Sequence, residues 1–348
     1  MKKFILAYFK IVALVFFALS QFSCNDDDDN LYAGTPEIDM VSASVDENGQ
    51  AVNPLVSTHM GYANNTYIIK GRGFASLKHV YFNEHESYFN PNLVTDNTII
   101  VTVDINTPYV NGNNKLKLVT NAGSAEYDFV IAPPAPIFRG FQPVNAADGD
   151  TITIKGNYFV DPAVKVGDMD AQIISYTLTE IKVKLPAGSQ NKKVTVSTLS
   201  GNNTWNTAVG TAIYDDAFYS PWDMESWNNH EYITDPDNAF QGNVFIKKQM
   251  DGWGNLQSNW NSDSNAVTKY TGIKFAVRSD GPGKLIFVFN SQFWGDASKA
   301  FTTSDDWVEV KYKWSELGNP TAVQFLGFQE FSGAQTTYYF DNFTYTTD

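Results

Sequence analysis

Cysteine is almost absent from this chain. Cys24 is the only one, so no disulfide can form within the molecule. Histidine is scarce as well. His59, His79, His85 and His230 make neither an HExxH run nor a facial triad, which argues against a zinc or iron centre. Positive charge is short: 24 Lys and Arg face 38 Asp and Glu, for a formal net charge of −14. A nucleic-acid partner needs cations to displace condensed counterions, so that class is excluded. Broad electrostatic binding of anionic lipid or acidic polysaccharide is disfavoured for the same reason. No Gly-x-Ser-x-Gly, no Cys–His pair and no phosphate-cradling glycine loop occurs. Amphipathic helical periodicity is missing after the first two dozen residues.

What is there starts with a basic opening, Met1 to Lys3, and a mostly apolar run from Phe4 to Phe22. That is the pattern of a secretory signal, expected over residues 1–23. Its end is too polar, and too soon followed by acid, for a spanning helix. Cys24 follows directly, then Asn25 and four aspartates. A lone cysteine at that point is expected to carry a lipid, the alternative being an ordinary leader with an incidental Cys. Residues 24–35 read as an acidic tether, kept extended and solvated by like-charge repulsion. The run Cys24-Asn-Asp-Asp-Asp-Asp resembles the lipoprotein export signal of Bacteroidota. That resemblance implies a protein lipid-anchored at Cys24 to the outer membrane, facing the cell surface.

The rest consists of short alternating runs rich in Val, Ile, Thr, Tyr and Phe, punctuated by Asn, Asp and Gly every eight to twelve residues or so. The fold class expected is all-β. An internal repeat is visible. Residues 66–74 read TYIIKGRGF and residues 151–159 read TITIKGNYF, both an alternating strand ending in Ile-Lys-Gly-x-x-Phe. VYFNEHE at 80–86 aligns with VKVGDMD at 164–170, and KLKLVTNAGS at 115–124 with KVTVSTLSGN at 193–202. Two units follow, 36–132 and 133–214, joined at Pro133-Pro-Ala-Pro136. The glycine is expected to supply a positive φ or a bulge, with the phenylalanine packed under the turn. This pattern resembles the IPT/TIG domain, a small immunoglobulin-like sandwich that serves mainly as a spacer in related surface proteins.

The third region, 215–348, has seven of the eight tryptophans: Trp222, Trp227, Trp253, Trp260, Trp294, Trp307 and Trp314. Strands are expected over 272–278, 283–290, 307–313, 321–328 and 337–344, with Gly281-Pro-Gly283 as a hairpin turn. The stretches GIKFAVRSDGPGKLIFVFN, DDWVEVKYKWSEL and YYFDNF resemble the β-jelly-roll carbohydrate-binding modules. The expected architecture is therefore two tandem IPT/TIG-like sandwiches followed by a β-jelly-roll domain.

Sugars present a belt of C–H groups and a rim of hydroxyls. An indole face covers the belt, while amides, carboxylates and Arg meet the rim. Trp253 and Trp260 lie among amides and glycines in DGWGNLQSNWN, and Trp294 follows Asn290 and Gln292 in FNSQFWGD. These three are the expected platforms, with Asn290, Gln292 and Arg278 as polar contacts. Arg278 is on the polar parity of its strand, from which it reaches either a ligand on the concave face or solvent. Trp307 and Trp314 flank Val308, Val310 and Tyr312 and are expected in the core, while Trp222 and Trp227 stay unassigned. No cofactor is required. The module resemblance implies one structural Ca²⁺ held by the hard oxygens of Asp215, Asp216 and Asp341, against the alternative that these are ordinary turn and strand-end acids.

The layout as a whole resembles a cell-surface glycan-binding protein of a Bacteroidota polysaccharide-utilisation system. The resemblance implies non-catalytic capture of a neutral polysaccharide or oligosaccharide and its transfer towards a TonB-dependent transporter complex. Two other classes compete: a surface adhesin or structural protein that binds a protein partner, and a glycoside hydrolase. A hydrolase needs two carboxylates flanking the scissile bond. The acids here sit mostly in turns, such as Asp235, Asp237, Asp263, Asp280 and Asp305, and the reading adopted is not an enzyme.

Overall fold

The computed structural model describes residues 32–348. The expected signal, Cys24 with its expected lipid and most of the acidic tether lie outside the described residues. The chain divides into two compact units, one ending at Pro134 and one spanning Ala135–Asp348.

The first unit is a sandwich of two four-stranded antiparallel sheets. One has the order Glu37–Ala43, Thr66–Arg72, Thr98–Thr102, Phe89–Val94; the other His85–Ser87, Leu77–Phe82, Lys115–Thr120, Gly123–Asp128. A parallel pair, Met60–Tyr62 with Val130–Ala132, forms a separate two-stranded sheet. Alternate residues such as Tyr67, Ile69, Val80, Phe82, Ile99, Leu116 and Leu118 meet in its core, as period-2 burial requires.

The second unit begins with a sandwich of the same strand order. One sheet runs Ile137–Gln142, Thr151–Asn157, Glu180–Lys184, Gln172–Tyr176, the other Met169–Asp170, Ala163–Val166, Lys193–Thr198, Gly201–Ala208. The sequence repeat is therefore a structural repeat, and of the two roles expected for its glycine the bulge is found, on the partner strand, and the positive φ is not. Neither Gly71 nor Gly156 has a positive φ. A Cβ on Gly71 would stand 1.9 Å from the Glu37 carbonyl oxygen, and one on Gly156 1.9 Å from that of Ile137. The partner strand has its register shift at this point, between Ile38 and Met40 or between Phe138 and Gly140. Glycine is needed for close backbone approach. Phe74 and Phe159 are fully buried beside it, as the repeat implied.

Beyond this lies a jelly-roll-like sandwich of two antiparallel sheets. The larger joins Ala217–Phe218, Ala212–Asp215, Thr336–Thr346, Val244–Met250 and Glu231–Thr234, with Gly272–Ser279 and Val308–Lys313 completing its seven strands. The smaller has the order Asn255–Gln257, Leu326–Glu330, Gly283–Phe289, Ala300–Thr303. Phe275, Phe287, Phe289, Phe328, Phe340 and Phe343 fill the core between them. Strand Ala212–Asp215 pairs with Thr336–Thr346, so the expected boundary at 214/215 falls within a strand of the C-terminal sheet. Gly281-Pro282-Gly283 is not a hairpin turn. The strands it joins belong to different sheets, and the turn carries the chain across the sandwich, with Gly281 at φ +80°.

Candidate functional site

The smaller sheet of the C-terminal sandwich has two very different faces. Leu256, Leu285, Phe287, Phe289, Leu326 and Phe328 point into the core. Alternation then places Asn255, Gln257, Ile286, Val288 and Gln329 on the outer face. Asn255, Gln329, Ile286 and Ala300 stand opposite one another across the four strands. Ile286, Val288 and Phe325 form a small second apolar cluster here, with Phe293, Ala300 and Phe331 packed on it.

The three tryptophans expected as platforms meet around this cluster. Trp260 lies 5.1 Å from Phe325, and Trp294 6.4 Å from the same ring. Trp253 stands edge-to-face with Phe331 at 4.9 Å. Their exposures are 60%, 37% and 56% respectively, so each indole keeps much of its surface in water. Amides lie between them. Gln257 Nε2 donates to Asn255 Oδ1 at 2.9 Å, and Gly295 N donates to Gln329 Oε1 at 2.7 Å. Gln329 Nε2 finds no acceptor among the described residues.

The loops that carry the indoles are anchored by buried polar groups. Trp253 has φ +70°, and its N–H donates to Glu330 Oε2 at 3.0 Å. Glu330 is buried and also accepts from Ser332, the Gly333 N–H and the Tyr338 hydroxyl. Burial pushes its carboxyl up, but the bonds from Ser332, Trp253 and Gly333 outweigh that and hold it below the usual range. Gly252 is needed because a Cβ there would meet the Gly333 carbonyl oxygen at 2.4 Å. On the other side Trp294 Nε1 donates to Ser291 Oγ at 3.3 Å.

The polar contacts expected around the indoles are placed otherwise. Asn290 is taken up inside the loop: its Nδ2 donates to the Ala322 carbonyl, and its Oδ1 accepts from Gln324 N and Phe325 N. Gln292 is exposed on the same turn, with its side-chain oxygen towards Gly318. Arg278 does not approach the indoles. Its guanidinium lies 4.0 Å over Tyr339, 5.3 Å over Trp307 and 5.8 Å over Phe245, on the outer face of the opposite sheet. Trp307 shares that face, giving its Nε1–H to the Asn238 carbonyl at 2.9 Å, and is not core. It is seven residues from Trp314, an odd interval, and alternation cannot turn both inward. Trp314 is buried, on a 3₁₀ turn, Trp314–Leu317.

The two unassigned tryptophans separate. Trp222 is buried, while Trp227 is 55% exposed on the 3₁₀ turn Ser226–Asn228. Asn228 ties that turn to the sheet edge, exchanging hydrogen bonds with the backbone N–H and C=O of Gln257 at 3.0 and 2.8 Å. Sequence reasoning overlooked Asn255, Gln257 and Gln329. The signal was present in the Asn-Leu-Gln alternation at 255–257 and in Gln329 following Phe328.

Asp215, Asp216 and Asp341 are neighbours in space, but their oxygens point at N–H donors. Asp215 accepts from Val144 N and Gln142 Nε2. Asp216 accepts from Asn243 N, Val244 N and Asn243 Nδ2, and Asp341 from Phe240 N, Gln241 N and Asn342 N. A calcium ion needs six to eight converging oxygens. Carboxylates whose oxygens are each turned to amide donors do not offer them, and among the described residues no acid, His or Cys cluster fits a metal. These residues do not fit a Ca²⁺ site.

Known proteins resemble the chain in parts and along its length. A curated IPT/TIG domain-containing protein of Bacteroides ovatus is 29% identical over 164 residues, 45% of this chain. The chain spans about a third of that relative, 32%. Among solved structures, the surface glycan-binding protein PbSGBP-B from Prevotella bryantii is similar at 17% identity and TM-score 0.49, over 90% of this chain and 99% of that one. SGBP-B from a complex xyloglucan utilisation locus in Bacteroides uniformis matches at 15% identity and TM-score 0.34, over 90% of this chain and all of that one. A family 11 carbohydrate-binding module from Clostridium thermocellum, in complex with a β-1,3-1,4-mixed-linked tetrasaccharide, matches at 11% identity and TM-score 0.28, covering 39% of this chain and 95% of that module. Residues 136–213, the second sandwich, match the family model of the IPT/TIG domain.

Proposed function

We propose that this protein is a non-catalytic, cell-surface glycan-binding protein. The carrying observation is the convergence of Trp253, Trp260 and Trp294, with Asn255, Gln257 and Gln329 between them, on one face of the smaller C-terminal sheet. Flat, half-wet indoles interleaved with amides suit a neutral, hydroxyl-rich chain. An adhesive surface for a protein partner would instead bury one contiguous apolar patch. The carboxylates nearest the face, Glu330 buried beneath it and Asp296 in the Trp294 loop, hold loop backbone, which suits binding better than hydrolysis. Anchoring to the outer membrane through a lipid on Cys24, with the immunoglobulin-like sandwiches as spacers, would present the site to polysaccharide outside the cell. The captured chain would pass to surface hydrolases and a TonB-dependent transporter complex. Many anchored copies on one long chain would supply avidity.

Affinity electrophoresis against neutral polysaccharides, with a reducing-sugar assay of the same protein, tests this reading. Retardation without new reducing ends is expected. Trp260→Ala should weaken binding about tenfold, roughly 1.4 kcal/mol. New reducing ends would make the protein a hydrolase, and no retardation by any glycan would refute the reading.

A further inference from the structure

A cleft of about 600 Å³ opens beside the loop that leads into the C-terminal sandwich, with Ala217, Phe218, Trp222, Asp223, Tyr232 and Asn259 in its wall. That volume is within the range of sites for small organic ligands. Tyr232 supplies its aromatic face and is 46% exposed. The ring is held from behind by Tyr214, stacked at 6.3 Å, and from the side by His230, edge-on at 5.0 Å. Burial first, and Asp223 second, push its phenol up to about 12, so it is a neutral hydroxyl at physiological pH.

The polar wall is equally well fixed. Asn259 braces the loop, accepting from Asp223 N at 3.1 Å and donating to the Pro221 carbonyl at 2.7 Å. Asp223 Oδ1 accepts from Met224 N at 2.8 Å and from the Tyr232 hydroxyl at 3.5 Å. Its other oxygen takes no hydrogen bond from the described residues. Among the described residues no Lys, Arg or His lines the cleft. An anion would meet two carboxylates, Asp216 and Asp223, and no countercharge. A hydroxyl donor would find a ready acceptor beside a ring face.

Position sets the occupant. Asn259 lines this cleft and the next residue, Trp260, stands on Phe325 at the tryptophan face. Adjacent Cα atoms are about 3.8 Å apart, so the two surfaces meet at one peptide. We propose that the cleft is a second saccharide subsite, in which Tyr232 stacks on, and Asp223 hydrogen-bonds to, a neutral sugar unit of the chain that lies on Trp260. This inference rests on the glycan-binding reading of the tryptophan face.

The test is calorimetric titration of the protein with six oligosaccharides: a xylogluco-oligosaccharide, mixed-linkage β-1,3-1,4-glucotetraose, cellotetraose, xylotetraose, mannotetraose and β-1,4-galactotriose. Tyr232→Ala should weaken the tightest of these about tenfold, while Tyr232→Phe, which keeps the ring, should stay within about threefold. Ala217→Trp fills the cleft from an exposed position without removing any packed group, and should mimic Tyr232→Ala even if the latter folds poorly. If Tyr232→Ala and Ala217→Trp both bind like the parent while Trp260→Ala does not, the subsite is refuted and the tryptophan face stands. If the Tyr232 and Ala217 variants lose binding while Trp253→Ala and Trp260→Ala do not, the cleft stands and the tryptophan reading falls. Absence of binding to all six overturns both.

Discussion

Trp314 and Trp260 are the same side chain put to opposite uses. Trp314 is buried and gives its Nε1–H to the Tyr270 carbonyl at 2.7 Å. Trp314→Ala is expected to cost about 3–5 kcal/mol of stability, read by urea unfolding. Trp260 rests one face on Phe325 and leaves the other in water, so Trp260→Ala should lose affinity and change stability by less than about 1 kcal/mol. Asn290 is the counter-example to reading polarity as contact. Its three bonds hold the turn from which Trp294 projects, and Asn290→Ala should cost about 1–3 kcal/mol, because the Phe325 and Gln324 amides lose their acceptor. The exposed indoles were legible because amides and glycines surround them in sequence. The asparagine was not, since an amide has the same letter whether it faces a sugar or its own backbone.

At the level of strands and turns, alternation told which residues share a side of a strand but not which sheet the strand would join. Arg278 was placed correctly opposite Phe275 and Val277, yet its strand went to the seven-stranded sheet and its side chain to the far face. Gly281-Pro282-Gly283 was visible as a turn, while the crossing between sheets depends on packing that only the whole domain decides. The repeat glycine was visible too, and its purpose is steric. Gly156→Ala would drive a Cβ towards the Ile137 carbonyl and, at 2.3 Å, the Phe159 ring. Neither can retreat from a packed edge, so a loss of about 1–3 kcal/mol is expected in chemical denaturation. Glu330 extends the same logic to the site. Its carboxylate gathers the Trp253, Ser332 and Gly333 amides, and Glu330→Gln, which turns one acceptor oxygen into a donor, should weaken glycan binding about as much as Trp253→Ala. Because its folded carboxyl lies below the ordinary value, its contribution is complete above about pH 4.3 and is lost as pH falls through the lower folded value.

At the scale of the whole unit 135–348, the second sandwich and the C-terminal domain are joined by polar bonds, some of them buried. Gln241 donates to the Phe141 carbonyl and accepts from Trp205 Nε1 at 2.6 Å. Asn243 bonds Gln142 and Lys155, and Asn206 reaches Glu309, which also pairs with buried Lys274. Asp215 and Asp341 lie buried in this joint, near Asp216 and Tyr214. Burial raises Asp215 to about 6 against the bonds from Val144 and Gln142, and raises Asp341 as well. A carboxyl whose folded value exceeds its unfolded value near 3.9 binds its proton more tightly when folded. Its charge therefore opposes folding above pH 6, and the opposition fades as pH falls from 6 towards 4. Scanning calorimetry of residues 135–348 should accordingly show one transition whose midpoint rises between pH 7.5 and 5. Below pH 4 it should fall again, as Asp148 and Asp348, both held below the ordinary range by hydrogen bonds, take up protons. Asp215→Asn should be less stable near pH 5, because one donor loses its acceptor, and should show a smaller rise, the remainder coming from Asp341. Two separate transitions, or a midpoint flat from pH 7.5 to 5, would show that the joint does not couple the domains through these acids.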